Sequence, residues 1–251
     1  MKLPISLVII TLNEEANISD CIKSCDFADE IIVVDSFSKD NTVKKAESLG
    51  AKVISKAWAG FGPQKHLATS LAKNDWILSL DADERLSPEL KKEIISRFIT
   101  LDPGTAYKLP RLSRYLGRWI RNGGWYPDYQ TRLFNKKHSQ WNQSLIHEKI
   151  ENPKTACFSE TIQHFVFNEI SQHVLTNNKY SGLQAAEMHQ KGQRFSYFHW
   201  LTKPWVKFIE CYFIKQGFRD GTPGFFIAVS AGYSVFLKWA KLWELTKVKK
   251  V

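Results

Sequence analysis

Asp81 and Asp83, with only Ala82 between them, offer two carboxylates one residue apart. Paired hard oxygen ligands suit Mg2+ or Mn2+, which prefer carboxylate and phosphate oxygens. A divalent cation held there would bridge to a diphosphate, neutralise it and ease its departure as a Lewis acid. Asp-x-Asp is common in ordinary turns, but this triplet directly follows the apolar run Trp76-Ile77-Leu78-Ser79-Leu80. Two other polar groups stand in the same relation to an apolar run. Thr11-Leu12-Asn13-Glu14 follows residues 5–10, and Asp35 closes residues 30–34.

Such groups need a scaffold that brings them together. Residues 5–10 are continuous, aliphatic and β-branched, the mark of a parallel strand buried on both faces. A helix over 17–25 puts Ile18, Cys21, Ile22 and Cys25 on one face. A strand over 30–35, a helix over 42–49 stopped by Gly50, and a strand over 51–54 follow. A loop at 60–63 leads to a helix over 64–71 and a strand over 75–81. Ser87-Pro88 opens the next helix with a capping serine and a proline in its first turn. This alternation implies an α/β fold, a mostly parallel sheet flanked by helices. Ligands bind such sheets beyond the C-terminal strand ends, so the three polar groups should converge on one crevice.

After residue 100 the pattern changes. Short strands around Asn122-Gly123-Gly124 occupy 105–150, another strand 161–167, and an amphipathic helix 171–190. Beyond that the chain is aromatic, with breaks at Pro204, Gly217, Gly221, Pro223 and Gly224. Three regions result: a ligand-binding half over 1–100, a second half of the same domain over 101–190, and an extension over 191–251.

The net charge is +10, which asks for an anionic partner. Residues 191–251 carry 11 basic against 3 acidic side chains and 15 of the 33 aromatics. Phe236, Trp239, Ala240 and Trp243 share one helical face, with Lys238 and Lys241 on another. That combination fits a helix lying on an anionic membrane surface, or an amphipathic helix docked on the body of the protein. No recognised nucleic-acid motif accompanies it, so nucleic acid is not expected as a partner. The longest apolar run, 225–237, falls short of the ~20 residues of a spanning helix. No secretory signal precedes the first strand, and the four cysteines form no zinc pattern. Cytoplasmic residence with free thiols is the expectation.

Residues 5–93 resemble the donor half of the family 2, inverting, GT-A glycosyltransferases. The resemblance rests on Val8-Ile9-Ile10-Thr11-Leu12-Asn13-Glu14, on Ile32-Val33-Val34-Asp35-Ser36-Phe37-Ser38-Lys39-Asp40-Asn41-Thr42 and on Leu80-Asp81-Ala82-Asp83-Glu84. Gly124-Trp125-Tyr126-Pro127-Asp128, Arg132-Leu133-Phe134, Ile146-His147-Glu148 and Lys215-Gln216-Gly217-Phe218-Arg219-Asp220-Gly221 look like bacterial lipopolysaccharide core heptose glucosyltransferases. The resemblance implies that Thr11, Asn13 and Glu14 line the nucleotide pocket and that Asp35 binds the base. It places Lys65 near the diphosphate, Asp81 on ribose or metal, and Asp83 as the main ligand of Mg2+ or Mn2+, with a UDP-sugar as donor. A Gln-x-x-Arg-Trp motif in its usual form is absent, which favours one sugar per acceptor over polymer synthesis.

Inversion needs a carboxylate to deprotonate the acceptor hydroxyl. Glu148 and Asp128 compete for that role. His147 would complete the metal shell or be an ordinary loop histidine. Asp128 could instead pair with Arg132. Arg111, Arg114, Arg118 and Arg121 form a basic cluster, suited to an acceptor phosphate or simply a solvated face. Trp119, Trp125, Tyr126 and Tyr129 could stack on sugars or pack the core. The implied activity is transfer of one hexose, glucose from UDP-glucose, to a heptose of a lipid-linked inner core at the cytoplasmic face of the inner membrane. The alternatives are another sugar on another envelope acceptor, or a non-catalytic nucleotide-sugar-binding module.

Overall fold

The computed structural model describes residues 2–142, 148–152 and 154–247. Two compact units emerge, one of residues 1–111 with 128–164, the other of 112–127 with 165–251.

In the first unit, β1 (Leu3–Thr11), β2 (Ala28–Asp35), β3 (Lys52–Ser55) and β4 (Trp76–Asp81) lie parallel in the order β3-β2-β1-β4. The aliphatic run of β1 serves both faces. Ile5, Leu7 and Ile9 on one face pack with α1 (Ile18–Ser24), α2 (Thr42–Ser48) and α4 (Pro88–Arg97) through Ile18, Ile22, Ala46, Leu90 and Ile94. Val8 and Ile10 face the opposite way, toward Ala68 of α3 (Phe61–Ser70) and Ala72. Ser87 caps α4 as its sequence implies, accepting from Leu90 N at 3.0 Å. Helix α3 begins at Phe61, so the loop expected at 60–63 is confined to Gly60 and Pro63 falls in the first turn, where its missing N–H costs nothing.

Beyond β4 most of the strand pairings are antiparallel. After the short β5 (Glu84–Leu86) come β6 (Ala106–Tyr115), β7 (Arg118–Trp119), β8 (Asp128–Asn135), β9 (Gln140–Trp141), β10 (Ile150–Glu151), β11 (Thr155–Cys157) and β12 (Ile162–Phe167). β8 runs antiparallel to both β4 and β6, and β12 runs antiparallel to β5. The sheet is therefore mixed, with its parallel half carrying the three polar strand ends.

The second unit is built on α5 (Ile170–Gln190), α6 (Tyr197–Ile209) and α7 (Gly221–Lys247). Tyr115, Ile120 and Ile227 form one small core, and Ala185, Trp239 and Leu242 another. Several expectations change here. Pro204 lies inside α6 and Pro223-Gly224 inside α7, so neither breaks a helix. The stretch Gly217–Lys247 is long and apolar enough to cross a membrane, unlike the 225–237 run alone, because helical flanks extend it. Trp239 is buried in the unit rather than presented with Trp243. Lys241 is drawn onto α5, donating to Asn178 Oδ1 at 2.7 Å and Ser181 Oγ at 2.9 Å.

Candidate active site

The register of the parallel strands brings the predicted groups to one edge. Thr11 pairs with Asp35 across β1 and β2, and Ile10 pairs with Asp81 across β1 and β4. Thr11, Asn13, Glu14, Asp35 and Asp81 thus stand at or beyond adjacent strand ends.

On the β1–β2 side the loops are tied by hydrogen bonds. Asp35 is buried and accepts from Ser38 N at 2.9 Å and Ser38 Oγ at 2.5 Å. Asn13 takes a left-handed backbone, φ 55°, and its N–H donates to Ser38 Oγ at 2.7 Å. Its own Oδ1 accepts from Lys39 N at 2.8 Å. Glu14 N donates to Thr42 Oγ1 at 2.8 Å. Burial pushes the Glu14 carboxyl up; an Asn17 hydrogen bond opposes this, and Asp83, Asp40 and Asp81 add to it. Thr11 Oγ1 is buried with no hydrogen-bond partner among the described residues.

On the β4 side lies a chain of ion pairs. Lys65, buried on α3, places Nζ 3.0 Å from Asp81 Oδ1 and 2.9 Å from Glu148 Oε1. It also sits 5.0 Å from the centroid of the Trp141 ring, a cation–π contact. Arg132, buried on β8, reaches Asp81 Oδ2 at 2.5 Å and Glu84 Oε1 at 2.7 Å through one nitrogen. Glu84 is wholly buried and also accepts from Asp81 N at 3.0 Å and from Arg111 at 3.2 Å. Arg111 then holds Asp128 Oδ2 through Nε at 2.9 Å and Nη2 at 2.6 Å, while Gln130 donates to the other oxygen at 2.7 Å. Burial opposes ionisation of Asp81, but Arg132 and Lys65 outweigh it and hold the carboxyl far below the usual range. Burial likewise opposes the charge on Arg132, and Asp81 and Glu84 restore and strengthen it.

Asp83 is separate from this chain. Its Oδ2 lies 3.2 Å from His164 Nε2, brought there by the pairing of His164 with Glu84 across β12 and β5. His147, the third expected metal ligand, lies outside the described residues. Among the described residues no group of three His, Cys, Asp or Glu side chains forms a ready metal cage. The donor chemistry nevertheless fits a hard divalent ion. Among the described ion pairs, five carboxylates, those of Asp81, Asp83, Glu84, Asp128 and Glu148, meet only three permanent cations, Lys65, Arg111 and Arg132. Two negative charges remain, and Asp83 is engaged by no permanent cation in this set.

The alternative Asp128–Arg132 pair does not form. Arg111 stands directly opposite Asp128 in the β6–β8 ladder, whereas Arg132 is turned to Asp81 and Glu84. Arg111 is consequently held by Asp128 and Glu84 instead of standing free for an acceptor phosphate. Of the aromatics, Trp125 packs on Tyr115 at 5.6 Å and Trp119 on Phe165 at 5.5 Å, whereas Tyr129 is exposed. Glu84, Gln130, Ser38 and His164 are not singled out by the sequence reading. His164 carries a readable signal, because it shares a strand face with Ile162. Burial pushes the Cys21 and Cys25 thiols up, Cys25 to about 12.

A parallel α/β half joined to a half of mostly antiparallel pairings is a GT-A-like fold. The family described as "Glycosyl transferase family 2" matches residues 6–157, and the chain belongs to it. An uncharacterized glycosyltransferase of Rickettsia felis is 38% identical, covering 98% of this chain and 92% of its own. The lipopolysaccharide core biosynthesis glycosyltransferase LpsC of Rhizobium meliloti is 28% identical, covering 99% and 95%. Glucosyl-3-phosphoglycerate synthase of Mycobacterium tuberculosis, solved with Mn2+, UDP and glucosyl-3-phosphoglycerate, is 27% identical over 44% of each chain with a TM-score of 0.37, a partial likeness only.

Proposed function

We propose that this enzyme transfers a single hexose, glucose from UDP-glucose, with inversion, onto a heptose of the lipid-linked lipopolysaccharide inner core, working peripherally at the cytoplasmic face of the inner membrane. The observation that carries the reading is Lys65, whose ammonium bridges Asp81 to Glu148 at the C-terminal edge of the parallel strands. The end-to-end relation to LpsC supports a lipopolysaccharide-type acceptor.

In this reading Thr11, Asn13 and Glu14 line the nucleotide pocket and Asp35 receives the base. Asp83, with Asp81 and His147, would hold Mg2+ or Mn2+. Bound there, such an ion would supply Lewis-acid stabilisation to the departing UDP. Lys65 turns from Glu148 to the donor diphosphate, since one ammonium cannot satisfy two carboxylates and a diphosphate equally. Glu148, released by Lys65, takes the proton of the acceptor hydroxyl. The hydroxyl oxygen attacks the anomeric carbon as the bond from that carbon to the UDP oxygen breaks, inverting the centre. Asp128 is the weaker candidate, because Arg111 and Gln130 occupy both of its oxygens.

The test is a donor screen against truncated core lipid, read by mass. A gain of one hexose from UDP-glucose, lost in Asp83→Ala, is expected. Absence of both transfer and hydrolysis with every sugar nucleotide, despite binding, would sink the proposal.

A further inference from the structure

The second unit exposes apolar side chains on a scale that contact with water alone does not account for. Helix α6 has no buried residue, and Phe198, Trp205 and Tyr197 are 71%, 70% and 66% exposed. Leu201, Val206 and Ile209 on the same helix are exposed too. Its two lysines, Lys203 and Lys207, are one turn apart, and besides them only His199 and Thr202 interrupt its apolar sequence. Beside it, Phe225, Val229, Tyr233 and Phe236 of α7 join Trp205 and Phe208 around a groove of about 340 Å³. Soluble surfaces rarely carry so continuous an apolar patch without a partner.

We propose that α6 and the adjoining outer edge of α7 form an in-plane docking surface for an anionic bilayer, entering one leaflet without α7 crossing it. Charge selects this partner. Residues 191–251 carry 11 basic and 3 acidic side chains, which attract anionic headgroups. The same charge repels a second copy of this surface. The aromatics suit the boundary between headgroups and chains, since Tyr197, Trp205, Tyr233 and Trp243 pair an apolar body with a polar tip.

Helix α7 is long enough to span, but its partners hold it within the unit. Asn177 Nδ2 donates to Ser230 Oγ at 2.6 Å, and Lys241 is bound to Asn178 and Ser181. Trp239 and Leu242 are buried with Ala185 of α5. A Cβ at Gly232 would stand 2.9 Å from the Pro204 carbonyl oxygen, so α6 and α7 touch backbone to backbone. A spanning α7 would forfeit these contacts.

The inference deepens the membrane-facing part of the proposed function and rests on that reading, but vesicle binding requires neither donor nor acceptor. The test uses the full chain with phosphatidylcholine vesicles, with and without phosphatidylglycerol. Co-sedimentation and a blue shift of tryptophan fluorescence with the anionic vesicles are expected, roughly tenfold stronger than with neutral ones. The double variant Leu201→Glu/Trp205→Glu, altered only at exposed positions, should bind at least about tenfold more weakly with unchanged circular dichroism and UDP binding. Trypsin added outside sealed vesicles should leave no protected α7 fragment. Failure of the wild type to bind anionic vesicles, equal binding by the double variant, or a protected fragment would each overturn the surface. So would a dimer abolished by the double variant while vesicle binding persisted. Sugar transfer to a water-soluble acceptor without vesicle binding would remove this surface and leave the enzyme reading intact; vesicle binding without any transfer would do the reverse.

Discussion

The Lys65 ammonium lies 2.9 Å from Glu148 Oε1, joining helix α3 to a carboxylate 83 positions further along the chain. The same nitrogen neutralises Asp81 at 3.0 Å. Before a donor arrives, one cation therefore guards two acids with different proposed tasks. Replacement by methionine keeps the aliphatic stem and removes the charge. Lys65→Met should lower kcat/KM by about 100-fold, the scale of one lost electrostatic contact at a developing charge. Lys65→Arg should recover part of it. Wild-type kinetics in Lys65→Met would remove Lys65 from the mechanism.

Glu148 and Asp128 can be separated by their partners. Glu148 has one cation that a diphosphate can draw away, whereas Asp128 is gripped by Arg111 and Gln130. Glu148→Gln should cut kcat by about 10²–10⁴ with donor affinity little changed, the usual range for a lost general base. Asp128→Asn should cost less. Rates under saturating donor, with UDP affinity measured alongside, decide the matter. The opposite ranking would transfer the role to Asp128.

Asp83 is the acid engaged by no permanent cation among the described ion pairs of the site, and this points to a measurable metal linkage. Calorimetry of UDP binding should show tighter binding when Mn2+ is supplied. Asp83→Asn should abolish that gain while leaving metal-free UDP binding near the wild-type level. Metal-independent UDP affinity in the wild type would count against the assignment.

The donor edge of this molecule is legible in the sequence because parallel strands ending in acids admit few arrangements: Ile10 beside Asp81 and Thr11 beside Asp35 follow once β1 lies between β2 and β4. The cation network is not. Arg132, Glu84 and Arg111 come from three strands, and which arginine meets which acid depends on the β6–β8 register, a long-range property with no local signal. The helices of the second unit escape a sequence reading for a different reason. Pro204 and Gly224 weaken helices locally, but packing overrides that preference, while Pro223 falls in the first turn of α7, where proline is tolerated. Gly224 lets α7 touch the Gly217 carbonyl, where a Cβ would fall 2.0 Å from the oxygen, and the Pro204 carbonyl meets Gly232.

Glu84 tests the network's structural side. It is wholly buried and balances both Arg132 and Arg111. Glu84→Ala should cost about 3–5 kcal/mol of unfolding free energy, the range for removing one partner of a buried pair. Denaturant titration measures it, and a loss below about 1 kcal/mol would show that solvent or rearrangement compensates the arginines.

His173 gives the second unit a pH dependence whose sign can be derived. The ring stacks on Phe167 with centroids 4.8 Å apart, and its Nδ1 lies 3.0 Å from the Tyr115 hydroxyl. Burial pushes its pKa below the ordinary 6.5. With the proton on Nε2, Nδ1 accepts from Tyr115; protonation of Nδ1 would reverse that bond and place a charge beside aromatic rings. On acidification the unfolded chain therefore takes up the proton first, at about pH 6.5. The contribution of this histidine to stability is complete above that pH and is lost as pH falls through the folded value. Unfolding free energy should decline as pH drops below about 6.5, and His173→Gln should remove that share of the slope. An identical pH slope in wild type and variant would show that His173 titrates alike in both states.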